Sequence, residues 1–168
     1  MIIFDIETTG LDPFSDKVIT IQTKRGNNIS IWKEWEAGEL SVLEECLGFL
    51  AGIGGNETIL GYNNLKFDVP FIAQRLAIHR RFDDSIYRLL YNKKWFDLYQ
   101  YLGDDYHSME VWLGKIGLTK NELGIQGRDI PRLYKEGKFD IIEHYIKQEL
   151  LMCERLFQKL SRKFPPVF

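Results

Sequence analysis

The N-terminal run Met1-Ile2-Ile3-Phe4-Asp5-Ile6-Glu7-Thr8 constrains this chain more than any other feature. Its apolar and β-branched side chains read as a buried strand, yet it carries two acids. Side chains alternate along a strand, so Asp5 and Glu7 project from the same face. At twice the rise per residue they stand roughly 6–7 Å apart. Two carboxylates so placed in a buried sheet repel unless positive charge lies between them. The pair alone leaves two readings open: a divalent-metal site with oxygen ligands, or a strand end where both acids reach water.

Thr9-Gly10-Leu11-Asp12-Pro13 is a turn signal, which puts the acids near a strand end beside a loop. Further on, Gly61-Tyr62-Asn63-Asn64-Leu65-Lys66-Phe67-Asp68-Val69-Pro70-Phe71 follows a short predicted strand, 58–61, and opens a helix with Pro70 in its first turn. Asp68 stands at that helix start, where a carboxylate commonly caps or neutralises the dipole. From Phe139 to Leu160 the sequence has helical periodicity. Ile142, Tyr145, Ile146, Cys153, Leu156, Phe157 and Leu160 fall on one arc. Glu149 falls in the middle of that arc, where a carboxylate must be paired, protonated or metal-bound, or else bend out at the edge of the contact.

These residues carry a family resemblance. Phe4-Asp5-Ile6-Glu7-Thr8-Thr9-Gly10-Leu11 is similar to the first motif of DEDD-type 3′–5′ exonucleases, and Tyr62-Asn63 with Phe67-Asp68 to the second. Tyr145-Ile146-Lys147-Gln148-Glu149 resembles the third motif of the tyrosine-containing subgroup. The stretch from Gly127-Arg128-Asp129 through Leu133-Tyr134-Lys135-Glu136-Gly137 to Tyr145 resembles stand-alone relatives of the family B DNA polymerase proofreading domain. One departure stands out: the family's last acid is normally Asp, and here it is Glu149, longer by a methylene.

The resemblance implies a ribonuclease H-like α/β fold, a mixed sheet flanked by helices, formed by residues 1–168 as a single exonuclease-like domain. It implies a metal-dependent 3′–5′ exonuclease that hydrolyses the terminal phosphodiester of single-stranded DNA or RNA. Asp5, Glu7, Asp68, Tyr145 and Glu149 would be catalytic. Asp5, Glu7, Asp68 and Glu149 would hold two ions, Mg²⁺ or Mn²⁺, and Tyr145 would orient the attacking water. Thr8, Thr9 and Gly10 would receive the terminal nucleotide, Leu11 would wedge against the last bases, and Asn63 and Phe67 would shape the pocket. The ordinary reading of Tyr145 is core packing. Asp97 is a further acid near a strand end, either a group behind the site or a helix cap. The longer Glu149 leaves a different class open: a catalytically weak nucleic-acid-binding module that keeps the fold. Paired carboxylates also serve glycosidases, but the Tyr145 and Gly61-Tyr62-Asn63 motifs have no role there.

Composition sets bounds on these expectations. A chain of 168 residues forms one domain with a real core. No signal peptide or apolar span is visible, and Cys46 and Cys153 fall on apolar helix faces, as reduced core cysteines of a cytoplasmic protein do. The cysteines and three histidines show no zinc spacing. The net charge of −2 fits poorly with nucleic acid until four site carboxylates are set against two divalent ions, which takes the total to +2. Arg75 with Arg80 and Arg81, Lys93 with Lys94, Arg128 with Arg132 and Lys135, and Arg162 with Lys163 are the remaining basic stretches, suited to a few contacts at a strand end. A polymerase or repair factor is the partner class that such an activity implies.

Strands are predicted at 2–8, 17–23 and 29–35 as an antiparallel meander, then at 58–61 and 94–98. Helices are predicted at 42–51, with Ser41 and Glu44 close to a capping box, at 70–79, and through the last third. Strands first, then alternating helices and strands, give a mixed sheet with helices on its faces.

Overall fold

A computed structural model describes residues 1–103, 107–118 and 124–163, the side chain of Lys163 excepted. The chain opens with β1 (Ile2–Thr8), β2 (Val18–Arg25) and β3 (Asn28–Lys33), followed by α1 (Glu34–Ala37) and α2 (Glu39–Ala51). Then come β4 (Thr58–Gly61), α3 (Asp68–Ile78), α4 (Asp84–Tyr91), β5 (Lys94–Asp97) and α5 (Leu98–Tyr101). The last third holds α6 (Met109–Lys115), a 3₁₀ turn (Gly127–Asp129), α7 (Ile130–Lys135) and α8 (Phe139–Lys163). The expected helical character of that third falls partly on residues 119–123 and 164–168, outside the described residues.

The five strands form one mixed sheet in the order β3-β2-β1-β4-β5. β1 lies at its centre, antiparallel to β2 and parallel to β4, as the meander and the later crossover require. Helices cover both faces. Ile2, Phe4 and Ile6 of β1 pack with residues of α2, α3 and α4 in one apolar core. Ile3, Ile19 and Leu60 pack with Leu98, Leu113, Ile130, Ile142, Ile146 and Leu156 in the other.

Boundaries differ from expectation where long-range contacts decide. α2 begins at Glu39, and Ser41 lies inside it, so the Ser41–Glu44 capping box does not form. The helix starts instead after Gly38, whose φ of 81° suits glycine, because the Glu39 carboxylate is drawn to the Val18 N–H at 2.8 Å. β3 stops at Lys33, and Trp35 moves into α1, where its ring stacks on Phe139 with centroids 4.5 Å apart. α4 was not expected; Asp83 caps it by accepting from Ser85 N and Ile86 N at 2.9 and 3.0 Å. Cys46 and Cys153 are both buried and free, and burial pushes the Cys46 thiol up to about 12.

Candidate active site

On β1, Asp5 and Glu7 are half-buried between fully buried neighbours, which places both acids on the side covered by α8. On α8, Tyr145 and Glu149 lie one turn apart and share a face. The Tyr145 hydroxyl is hydrogen-bonded to Glu149. Its pKa is driven far up, first by burial, then by the charges of Glu7 and Glu149 and more weakly by Asp5. Tyr145 is therefore a neutral donor at any working pH. Asp68, at the start of α3, is 3% exposed. Burial, and after it the charge of Asp5, holds its carboxyl well above the usual carboxylate range. β1, α3 and α8 thus bring five groups distant in sequence into one electrostatic neighbourhood. An open cleft of about 660 Å³ lies over it, with Asp5, Tyr62, Asn63, Tyr145 and Glu149 among its lining.

The way β1 meets the second motif follows from strand pairing. β4 pairs with β1 only through Ile2 and Ile3. Beyond that point, side chains take over the missing ladder. Asn64 Nδ2 donates to the Phe4 carbonyl at 3.0 Å, and Ile6 N–H donates to Asp68 Oδ1 at 3.1 Å. Asn64 is 1% exposed and fits only because Gly61 has no Cβ, which would lie 1.5 Å from Asn64 Oδ1. Asn64 escaped the sequence reading because an Asn-Asn pair in a turn looks like turn chemistry alone. Asp97 is resolved as both cap and brace. It accepts from Tyr99 N at the start of α5, and from Asn63 N and Leu65 N at 2.8 and 3.0 Å. That brace holds Asn63 at a φ of 68°, with its side chain at the cleft.

The substrate-binding candidates of the β1–β2 loop lie on a tightly tied turn. Thr8 Oγ1 donates to the Gly10 carbonyl at 2.6 Å, and Thr9 Oγ1 donates to Asp16 Oδ1 at 3.1 Å. A Cβ on Gly10 would stand 2.3 Å from Asp16 Oδ2, so the turn needs glycine there. Leu11 projects from this turn and is 82% exposed. Phe67 packs on Phe71 with ring centroids 5.4 Å apart. None of Thr8, Thr9, Gly10, Leu11 or Phe67 lines the cleft itself, and neither do Glu7 and Asp68. Its wall is made instead by Tyr62, Lys66, Tyr99 and the 107–110 segment, none of which the motifs single out except Tyr62.

Several basic candidates are committed to protein acceptors. Arg75 makes two hydrogen bonds to Glu39 and one to the Pro13 carbonyl, Arg81 pairs with Glu44, Lys93 Nζ donates to the Ile53 carbonyl, and Arg132 pairs with Glu136. Arg75 in particular clamps α3 to the β1–β2 loop. The side chain of Lys163, expected beside Arg162, lies outside the described residues.

Among the described residues, no three His, Cys, Asp or Glu side chains, as turned here, converge closely enough to hold a metal ion. The carboxylates face protein donors: Asp5 accepts from Gln22, Asp68 from Ile6, Glu149 from Tyr145. The donor set still fits a hard divalent cation in kind. It is all oxygen, and the shift that Asp5 imposes on Asp68 is the repulsion a cation relieves.

A central strand bearing two acids, a third acid on the next crossover helix and a fourth on the covering helix together define a ribonuclease H-like α/β nuclease fold. A family model of the RNase H superfamily matches residues 2–160, and the chain belongs to that superfamily. Its structure is similar to a family B DNA polymerase from the hyperthermophilic archaeon Pyrobaculum calidifontis, with a TM-score of 0.75 and 18% identity. The match covers 95% of this chain and 24% of the polymerase chain, so the chain spans about a quarter of that protein's length. At that identity the likeness speaks for the fold alone. A search of curated proteins gives no match.

Proposed function

We propose that the protein is a metal-dependent 3′–5′ exonuclease of the tyrosine-containing DEDD type. Its substrates would be 3′ ends of single-stranded DNA or RNA, and its products nucleoside 5′-monophosphates. The observation that carries this reading is the convergence of Asp5, Tyr145 and Glu149 on one cleft, with Asp68 and Glu7 in electrostatic contact with them. Two divalent ions, Mg²⁺ or Mn²⁺, held by Asp5, Glu7, Asp68 and Glu149, would activate water and stabilise the leaving oxygen. Tyr145 keeps its proton and donates, so it orients an oxygen and takes no proton from it. Thr8, Thr9, Gly10 and the exposed Leu11 would meet the terminal nucleotides, while Asn63 and Phe67 would shape the pocket around them. A cytoplasmic enzyme of this kind would share its 3′ ends with a polymerase or repair factor.

The second reading, a nucleic-acid-binding module with a weakened site, draws on Glu149, which is longer by a methylene than the Asp usual at that position. One assay separates the two. 5′-labelled single-stranded DNA and RNA are incubated under single-turnover conditions with Mg²⁺ or Mn²⁺. The exonuclease gives a ladder shortening from the 3′ end, and the preferred strand identifies the substrate. Glu149→Gln should lose at least about a hundredfold, since misplacement near 1 Å already costs that much. Glu149→Asp should lower the rate if α8 has adjusted to the longer side chain. Wild type and Glu149→Gln equally inactive, with Glu149→Asp active, would establish the binding module instead.

A further inference from the structure

Three residues of β2 stand across from β1 in register: Thr20 opposite Glu7, Gln22 opposite Asp5, and Lys24 opposite Ile3. Directly opposed residues of an antiparallel pair share a face, so this row lies on the same side as the acids. A polar row on an alternating strand is the pattern of a sheet face left to water. Here α8 covers it, and Thr20, Gln22 and Lys24 are 0%, 0% and 6% exposed. Lys24 is accounted for by Glu154 of α8, at 2.7 Å, and by the Gly26 carbonyl. Gln22 is accounted for only in part. Its Nε2 donates to Asp5 Oδ2 at 2.7 Å, while its Oε1 is buried with no hydrogen-bond partner.

A buried amide with an unsatisfied oxygen lowers stability, and an apolar side chain of the same shape would not carry that penalty. What the position supplies in return is a donor fixed on the central acid. We infer that Gln22 is a positioning residue of the nuclease site, which sets the rotation of the Asp5 carboxylate and so the direction in which Asp5 presents its oxygens to metal and substrate. The inference rests on the nuclease reading. Gln22 is not placed to touch the substrate; it acts through Asp5. Sheet geometry makes the setting rigid, because both residues belong to paired central strands and the amide reaches straight across the ladder.

Gln22→Met keeps the length and removes both donor and acceptor. In EDTA its melting temperature should stay close to that of wild type, because losing the orphaned oxygen offsets losing the donor to Asp5. Its Mn²⁺-induced rise in melting temperature should shrink. Its single-turnover cleavage rate should fall by about thirty- to a hundredfold, with substrate affinity unchanged. A purely structural Gln22 would show the reverse: a lower melting temperature in EDTA, with metal response and rate per folded molecule intact, and that result overturns the inference. A measurement without substitution at Gln22 guards against a variant that fails to fold. The Gln22 side-chain amide protons should exchange slowly in the intact protein and quickly in Asp5→Ala; fast exchange in both also overturns it. If wild type shows neither cleavage nor any response to Mn²⁺, the nuclease reading itself has failed. A wild type that cuts beside an equally active Gln22→Met fails the inference alone.

Discussion

Ile2, Phe4 and Ile6 of β1 are at most 5% exposed and face an apolar layer built by α2, α3 and α4. One residue along, Asp5 and Glu7 face α8 across a layer that also holds Gln22, Lys24 and Tyr145. The same strand therefore serves two environments. On the first, contacts are dispersion and water exclusion, such as the edge-on packing of Phe4 and Trp95 with centroids 5.4 Å apart. On the second, apolar contacts of Ile3, Ile19 and Leu60 with α8 continue beside buried polar groups. β1 thus meets a wholly apolar layer on one face, while on the other its carboxylates are set into the edge of a second apolar core.

A pair of truncations one residue apart separates the two faces of β1. Asp5→Ala should lower nuclease activity by more than about a hundredfold, yet change the metal-free melting temperature little, since the repulsion it relieves at Asp68 is set against the donor it orphans on Gln22. Phe4→Ala should do the opposite, costing about 3–5 kcal/mol of stability while the folded fraction still cuts. Denaturant unfolding beside single-turnover cleavage checks both; equal destabilisation by the two variants would erase the distinction between faces.

Glu39 tests how the apolar face is tied to the β1–β2 loop. It accepts from Val18 N, Arg75 and His79. Burial raises its pKa, but Arg75, His79 and the Val18 N–H together outweigh burial and hold it below 4.5. A carboxylate depressed in the folded state contributes stability that is complete above pH 4.5, its unfolded value, and is lost as pH falls through the lower folded value. Glu39→Gln should cost about 3 kcal/mol at neutral pH and flatten the acid limb of the stability curve. A variant whose loss is the same at all pH values down to acid unfolding would show that the charge is irrelevant. The smallest effect is expected at Lys24–Glu154, which joins β2 to α8 at 2.7 Å with Glu154 one-quarter exposed. A double-mutant cycle should give a coupling of about 1 kcal/mol, falling with salt.

Local pattern was enough to read β1 and β4, whose bounds at Ile2–Thr8 and Thr58–Gly61 match expectation, and the start of α8 at Phe139. Each has a strong period or a sharp turn beside it. The motif acids were legible for the same reason: they interrupt apolar patterns. The groups that hold them were not. Gln22 and Asn64 look like ordinary strand and turn residues, and their roles exist only because Asp5 and the Phe4 carbonyl lie across the sheet. Glu39 moved the start of α2 through a bond to a strand 21 residues earlier. Arg75 read as a free cation because its partner is 36 residues away. Contacts of this kind leave no mark on the neighbouring sequence.

The central place of β1 in the sheet order has a consequence for how the protein is made. β1, β2 and β3 form a local meander that can close soon after synthesis, at the microsecond scale of hairpins. The fourth acid arrives from residue 149, and α8 must dock across the already formed strands to bring it there. Loop closure over that separation is slow compared with local pairing. At about 5–20 residues per second, a nascent chain spends several seconds with a formed sheet and an open row of carboxylates. Over that interval the strands and their carboxylates are in place without Tyr145 and Glu149, and the proposed site is complete only once α8 has emerged and docked.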